Sequence, residues 1–325
     1  MTLAATLALA AALVGVIMPR VLALHPPAAP PRLMLVGWLA SIAAFIFLAL
    51  SAVVVVAWPD HAPAEGITDI WIRCLSSAQH TMAPWISEIA FGAAVLAATF
   101  FLGRFTAVGR RQHRSRTKVR GYHDDILTIV ARTKHDPGSR YPVLWLDHPL
   151  PFAYSIAGSP GLVIATEGLN TCLTPAEAAA VLEHERAHLH GRHHRILALC
   201  AILARTLPMV PLITRAPAAI SMLVELDADR AAARRTSPAD VRSALCRVLA
   251  EQGDSPAVHA VGYAPTARDI EATNDRRLQV LSAAAAPSPR RLTYAAAALL
   301  PLTAAAVSAV ITMAALSAVY CIFIT

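Results

Sequence analysis

Long apolar runs at both ends of the chain constrain its fold most. Residues 3–24, 33–58 and 85–102 form three such runs, and residues 292–325 form a fourth. Each is long enough to cross the roughly 30 Å hydrocarbon core of a bilayer. Only 15% of the 325 residues are charged, whereas a soluble domain has about a quarter. We therefore predict an α-helical membrane protein with about four transmembrane helices.

The distribution of basic residues predicts the orientation of these helices. Residues 104–120 contain seven basic residues and no acidic one. Because basic loops remain in the cytoplasm, residues 105–291 should face the cytoplasm, with both termini outside the cell membrane. Contact with the lipid bilayer and its anionic head groups accounts for the basic block more simply than nucleic acid does. We therefore expect no direct nucleic-acid binding.

The middle of the chain has the pattern of a mixed α and β domain. Short β-prone runs at residues 142–146, 152–156 and 162–166, separated by turn signals, predict a small antiparallel sheet. Thr174, Pro175 and Glu177 then form a capping box that begins a helix extending through residue 194. Further helices are predicted over residues 218–235 and 238–251, and a loop over residues 258–273.

The predicted helix after Pro175 carries the run His-Glu-Arg-Ala-His, residues 184–188. His184 and His188 are four residues apart, so both imidazoles leave the same helical face and can bind one ion. Zn²⁺ accepts two nitrogen ligands and a carboxylate, and keeps its fourth position for water, whose pKa it lowers to about 7. Glu185 is placed to accept a proton from that water as it attacks a peptide bond. The alternative is a histidine-rich polar helix face without a metal.

A third ligand must come from elsewhere in the chain, and Glu225 is the candidate. Asp229 follows it by four residues, so both carboxylates lie on one face of the helix predicted there. Asp229 could then orient a ligand histidine through its second ring nitrogen. Asp227 points away from that face, and we expect it to be solvated. A surface salt bridge is the alternative role for Glu225.

These motifs and their order resemble those of the membrane gluzincin peptidases. The resemblance rests on Pro-Phe-Ala at residues 151–153, VIATEGL at 163–169, LTPAEAAAVLEHERAHLHGR at 173–192 and ELDADRAA at 225–232. That group includes the HtpX and CAAX-prenyl-protease type and the BlaR/MecR type of β-lactam signal transducer. Three N-terminal spans, a cytoplasmic zinc domain and one more span are more similar to the BlaR/MecR branch. The sequence given ends at Thr325, so we expect similarity to the short, sensor-less, actinobacterial-like members.

The resemblance implies roles for individual residues of this chain. It implies one Zn²⁺ held by His184, His188 and Glu225, with Glu185 as the catalytic base and Asp229 behind a ligand. Arg277 begins RLQVL, which is similar to a late element of these enzymes, and could approach the site or the substrate. At the position where relatives often have aspartate this chain has His193, so a supporting role for it is an open expectation.

The stretch at residues 196–214 limits how the site can form. It is nearly span-length and apolar, but it contains Arg205, Pro208 and Pro211. A single crossing would put Glu225 on the opposite side of the membrane from His184. An even number of crossings, a re-entrant hairpin or an element on the membrane surface would each preserve the site. We expect a domain that is partly sunk into the membrane.

The predicted organisation follows in four parts. Residues 1–104 form a three-helix transmembrane region, 105–140 a basic cytoplasmic segment, 141–291 an inserted α+β zincin-like peptidase domain, and 292–325 a final transmembrane helix. Residues 152–156 are a candidate edge strand for an extended peptide substrate. Tyr154 and Tyr263 are candidate donors to the developing oxyanion, although core or surface roles are the commoner fate of such tyrosines.

Three functions are compatible with this sequence. The first is a regulatory zinc metalloendopeptidase of the cell membrane, whose protein substrate, by resemblance, is a BlaI/MecI-like transcriptional repressor. The second is an HtpX-like protease for quality control of membrane proteins. The third is a non-catalytic signalling scaffold.

Overall fold

The computed structural model describes residues 2–23, 30–57, 84–130, 132–134, 141–158, 161–252 and 266–283. Within this part the chain is mostly helical, with one small sheet. The helices are α1 (Thr2–Ala23), α2 (Pro31–Ala57), α3 (Pro84–Val130), α4 (Glu167–Cys172), α5 (Pro175–His190), α6 (His193–Thr206), α7 (Pro211–Arg235), α8 (Pro238–Gln252) and α9 (Ala267–Ala283). The strands are β1 (Arg132–Lys134), β2 (Val143–Leu146), β3 (Ala153–Ile156) and β4 (Leu162–Thr166).

Among the residues that the structure describes, three helices in the first third of the chain are long and apolar enough to cross a membrane, at Ala4–Ala23, Pro31–Val55 and Gly92–Arg114. They correspond to the three predicted N-terminal runs, and α1 packs along α2. The predicted fourth span at 292–325 lies outside the described residues. α3 continues through Val130, so most of the segment at 105–140 extends the third helix, and its assignment as a cytoplasmic segment stays a prediction. Its many Arg and Lys residues are good helix formers, which explains why the helix continues past the apolar run.

The sheet has the order β1-β2-β4-β3. β3 and β4 are antiparallel, and so are β1 and β2, but β2 and β4 run parallel. The prediction of an antiparallel sheet was therefore wrong for this pair. After β3 the chain turns back, and β4 inserts between β2 and β3, which leaves it parallel to β2. Among the described strands, β3 lies at an edge, and it packs beside α5.

Helix α5 begins with the predicted capping box. The Thr174 hydroxyl accepts a hydrogen bond from the backbone N–H of Glu177, and the Glu177 carboxylate accepts one from the backbone N–H of Thr174. The helix ends at His190, earlier than predicted, because Arg192 adopts a left-handed conformation with φ 51°. A Cβ on Gly191 would overlap the ring of His193, so this break lets His193 begin α6 with its ring close against the turn.

Residues 193–235 form a helical hairpin from α6 and α7, joined by a turn at 207–210. α7 begins at Pro211, before the predicted residue 218, because proline suits the first position of a helix. The hairpin shares one apolar core with α1 and α2. The buried members are Met18, Leu22, Leu35, Trp38, Ile42, Cys200, Leu203, Leu212, Ile213, Ala216, Ile220 and Val224.

The turn of the hairpin reaches the middle of α1 and α2. A Cβ added to Gly15 of α1 would lie 3.3 Å from both Phe45 of α2 and Val210 of the turn. Phe45 lies about 20 Å along α2 from Pro31, at a rise of 1.5 Å per residue. Arg104 of α3 donates hydrogen bonds of 3.1 and 2.8 Å to the carbonyl of Arg205, at the C-terminal end of α6. Residues 196–214 therefore belong to a helical hairpin whose turn packs against the middle of α1 and α2, and a re-entrant position of this hairpin in the membrane stays a prediction.

Labelling at the turn tests this depth. Met209 is 90% exposed in the isolated protein, so a bilayer around α1 and α2 would surround it with lipid. In a variant whose native cysteines are serine, Met209→Cys should react with a membrane-permeant maleimide and not with an impermeant one added to either face of sealed vesicles. Reaction with impermeant reagent on the face opposite the catalytic domain would contradict the re-entrant hairpin.

Helices α8 and α9 close the domain against α5 and α7. The third predicted helix, over 238–251, is α8. The predicted loop at 258–273 was partly wrong, since α9 begins at Ala267, while residues 258–265 lie outside the described residues. Thr266 and Asp269 form reciprocal capping hydrogen bonds at its start. Aspartate in place of the usual Glu or Gln made this start harder to recognise.

Candidate metal centre

Three possible metal ligands meet where α5 crosses α7. The Nε2 atoms of His184 and His188 are 3.0 Å apart. The Glu225 carboxylate lies 3.3 Å from His184 Nε2 and 3.5 Å from His188 Nε2. The hairpin of α6 and α7 brings Glu225 to the same end of the molecule as α5. The three residues predicted as ligands from the sequence are therefore neighbours, and among the described residues they form the group that could hold a metal ion.

The spacing of these donor atoms fits one tetrahedral ion. Ligands bound at about 2.0–2.1 Å from a tetrahedral Zn²⁺ lie about 3.3 Å from one another. The two histidine nitrogens are 3.0 Å apart, and one Glu225 oxygen lies 3.3 Å from His184 while its other oxygen lies 3.5 Å from His188. One donor atom from each of the three residues can be chosen so that all three lie within 4.8 Å of one another, which is compatible with one ion. Two imidazole nitrogens and a carboxylate oxygen are also a donor set that zinc accepts, with one position left open.

His184 contacts Asp229, and Asp229 in turn binds an arginine of α9. His184 Nδ1 lies 2.9 Å from Asp229, whose side chain is 2% exposed. Arg277 of α9 donates to both Asp229 oxygens, at 2.7 and 2.8 Å, and its third nitrogen lies 3.5 Å from Glu225. Arg277 thus reaches the site, but its guanidinium is engaged by these two carboxylates. A contact between Arg277 and substrate stays a prediction.

The electrostatics of the centre favour charged carboxylates beside a proton-binding histidine. Burial disfavours the charged form of His184, but Asp229 and Glu225 outweigh it and raise its pKa to about 10. Burial likewise opposes ionisation of Glu225, yet the histidines and Arg277 hold its pKa well below the ordinary value. The pKa of Asp229 is lowered in the same way by Arg277 and His184. A cation entering here meets two ionised carboxylates.

His188 has a different set of neighbours. Its Nδ1 lies 3.0 Å from Nδ1 of His193, and His193 Nε2 lies 3.7 Å from Asp227. Arg32 of α2 donates to both Asp227 oxygens, at 2.8 and 3.1 Å. Asp227 is therefore not solvated as expected, because the start of α2 and the start of α6 cover that side of α7. Nothing local in the sequence pointed to Arg32.

Glu185 follows the first histidine on α5 and is half-buried. Its charge contributes to the raised pKa of Arg277, which places it on the Arg277 side of the centre. Tyr154 lies on β3 and stacks on Phe152 with ring centroids 6.2 Å apart. Burial raises the pKa of the Tyr154 hydroxyl. Its role toward an oxyanion stays a prediction, and Tyr263 lies outside the described residues.

Comparison with known families decides the relationship. Residues 122–292, just over half of the chain, match Peptidase family M48. The chain belongs to Peptidase family M48. No solved structure matches it. Membership implies metallopeptidase activity, and the three donor residues are compatible with a metal site in this M48 peptidase.

The raised pKa of His184 predicts that metal binding releases a proton. Since a ligand nitrogen must be unprotonated, Zn²⁺ has to displace the proton that His184 holds up to a pH of about 10. Protonation of His184 stabilises the fold fully below the unfolded pKa of about 6.5. This stabilisation is lost as the pH rises through the pKa of His184 in the folded protein, about 10. Zn²⁺ affinity should therefore rise roughly tenfold per pH unit between pH 6.5 and 8. Calorimetry in buffers of different ionisation enthalpy measures the release, and a pH-independent affinity without proton release would be incompatible with this centre.

Proposed function

We propose that this M48 peptidase is a membrane-embedded zinc metalloendopeptidase that cuts peptide bonds in cytoplasmic or membrane-proximal proteins. The observation that carries the proposal is the convergence of the His184, His188 and Glu225 donor atoms beside Glu185. Family membership supports the hydrolytic reaction, and the three apolar helices support attachment to a membrane.

Each polar residue of the centre has a part in the proposed reaction. His184, His188 and Glu225 would hold Zn²⁺, which when bound lowers the pKa of water to about 7 and polarises a carbonyl. Glu185 accepts the proton of the attacking water and delivers it to the leaving amine. Asp229 keeps the Nδ1 proton of His184 in place, so that Nε2 faces the centre with its lone pair. Arg277 holds Asp229 and Glu225 against their mutual repulsion.

The edge strand β3 provides a surface for an extended substrate. Its outer side has backbone groups without a neighbouring strand among the described residues, and it lies beside α5, which carries Glu185. A peptide that adds to this edge would run past the metal centre, with its backbone held by strand hydrogen bonds. This mode of binding reads backbone more than side chains, so it suits a protease that acts on flexible segments.

The position of the centre suggests which proteins it meets. Asp227 beside Arg32 puts α7 at the end of α2, so a substrate must present its cleavable segment close to the membrane. The basic side chains of α3 support a cytoplasmic centre with the N-terminus outside. On the BlaR/MecR resemblance, we propose regulatory cleavage of a BlaI/MecI-like repressor. The same membrane-proximal position favours, as the second candidate, removal of damaged membrane proteins.

Comparison of cleaved proteins in cells tests the substrate class. Cells producing wild-type chain should contain new protein termini that are missing in cells producing Glu185→Gln. A single cleaved soluble regulator would support regulatory proteolysis, and many cleaved membrane proteins would support quality control. Identical sets of termini in both cell types would refute the peptidase function.

A further inference from the structure

An aspartate of α7 lies beyond each ligand histidine, in direct contact with His184 and through His193 for His188. An arginine donates hydrogen bonds to each of these aspartates. His184 faces Asp229 directly, and Arg277 holds Asp229. His188 faces His193, and behind it stand Asp227 and Arg32. Because Asp227 and Asp229 are two residues apart on a helix, they point about 200° apart. Asp229 therefore faces α9, and Asp227 faces α2.

We propose that Arg32 of α2 is a positioning residue for the ligand His188, acting through Asp227 and His193. The inference rests on the proposed zinc site and adds a residue from a candidate membrane span to it. It follows that the packing of α2 against α7 controls the orientation of a metal ligand.

The hydrogen-bond roles along this chain of residues are consistent. When Nε2 of His188 points its lone pair at the centre, Nδ1 carries the ring proton and must find an acceptor. His193 Nδ1, 3.0 Å away, accepts it, which leaves the His193 proton on Nε2, facing Asp227 at 3.7 Å. At 3.7 Å the charge of Asp227 favours the His193 tautomer with its proton on Nε2, and the hydrogen bond from His188 then places the His188 proton on Nδ1.

Burial makes the arginine necessary. The side chains of His193 and Asp227 are 3% and 7% exposed. A buried carboxylate needs partners that donate to it, and the Nε of Arg32 lies within 3.1 Å of both Asp227 oxygens. Without Arg32, Asp227 would face His193 as its one remaining partner among the described contacts, and it would move toward solvent. His193 would then lose the group that orients its ring.

Zinc affinity of the full chain in nanodiscs tests this role, measured by competition between protein and a chelating dye for Zn²⁺. Removal of an outer partner of a metal ligand typically costs about 10- to 100-fold in affinity. We expect that range for His193→Ala and, because Arg32 is one step further out, about fivefold for Arg32→Ala. Arg32→Lys should restore affinity to within about twofold, since it keeps a donor of the same charge. Arg20→Ala removes a basic residue from α1 that donates to the carbonyl of Val16 on the same helix, and it should leave the affinity unchanged.

The double variant separates a positioning role from a general effect on folding. If Arg32 acts through His193, Arg32→Ala should weaken Zn²⁺ binding little further in a His193→Ala background. At saturating Zn²⁺, Arg32→Ala should lower kcat and leave KM unchanged. If alanine at 32 prevents folding, Arg32→Gln replaces it in the same measurement, and a wild-type Zn²⁺ affinity of Arg32→Gln contradicts the proposal.

Three outcomes would overturn the inference while the zinc site stands. They are a wild-type affinity in Arg32→Ala, an undiminished loss from Arg32→Ala in the His193→Ala background, and an equal loss in Arg20→Ala. Failure of the proposed zinc site would look different, because the wild-type chain itself would then bind no Zn²⁺ and this inference would fall with it. A wild-type chain that binds Zn²⁺ but cleaves no peptide would refute the peptidase function and leave the positioning role of Arg32 intact.

Discussion

Replacement of Glu185 by glutamine should lower peptide cleavage by about 10²- to 10⁴-fold, because amide cannot accept the proton of the attacking water. Glutamine has nearly the same shape, and Glu185 is not among the three converging donor residues. Bound zinc should therefore be retained. The measurement is kcat/KM on a casein-like substrate together with zinc content, both on detergent-solubilised protein.

A matched variant controls for the loss of a negative charge on α5. Glu183 pairs with Arg186 and Arg235 and lies on the same helix, so Glu183→Gln should retain most of the activity. Unchanged cleavage by Glu185→Gln would exclude the proposed mechanism. A wild-type chain that binds zinc but does not cleave the substrate would instead support a non-catalytic scaffold.

Replacement of Asp229 by alanine should cause the largest loss of stability. Its side chain is 2% exposed, and it bonds to Arg277, whose side chain is 14% exposed. The variant leaves Arg277 with its longer contact to Glu225, and removal of one partner of a buried ion pair costs about 3–5 kcal/mol. Zn²⁺ affinity should also fall by about 10- to 100-fold, because His184 loses the partner of its Nδ1. Thermal unfolding and dye competition measure the two effects.

Asp275 provides the control for this substitution. It is an exposed aspartate on α9, so Asp275→Ala should change the free energy of unfolding by no more than about 0.5 kcal/mol. An Asp229→Ala protein with wild-type stability and wild-type Zn²⁺ affinity would show that the buried pair does not support the centre.

The parts of the site that could be predicted from sequence depend on local geometry. His184 and His188 meet because residues four apart share a helical face, and the cap formed by Thr174 and Glu177 fixes where that helix begins. Glu225 was harder, since its approach to His184 depends on the path of residues 196–214. Because Glu225 and His184 must lie on the same side of the membrane to bind one ion, residues 196–214 could follow only a few paths. A helical hairpin is one of these paths.

The contacts that could not be predicted join distant segments. Arg32 and Asp227 are 195 residues apart, and no periodicity links them. Asp227 looked like a solvated residue because the helical pattern of α7 shows which residues share a face. It does not show which other helices pack against that face. The parallel pairing of β2 and β4 was hidden for a similar reason, because strand alternation shows which side chains face inward and not which strands are neighbours.

Metal analysis of the detergent-solubilised protein tests the central claim most directly. A zinc centre formed by His184, His188 and Glu225 predicts about one Zn²⁺ per wild-type chain, in keeping with a single three-residue site. His188→Ala removes one donor and should reduce the zinc content of the purified protein to background while the protein still elutes as a folded species. A wild-type chain without zinc, or equal zinc in wild-type and His188→Ala, would contradict the claim.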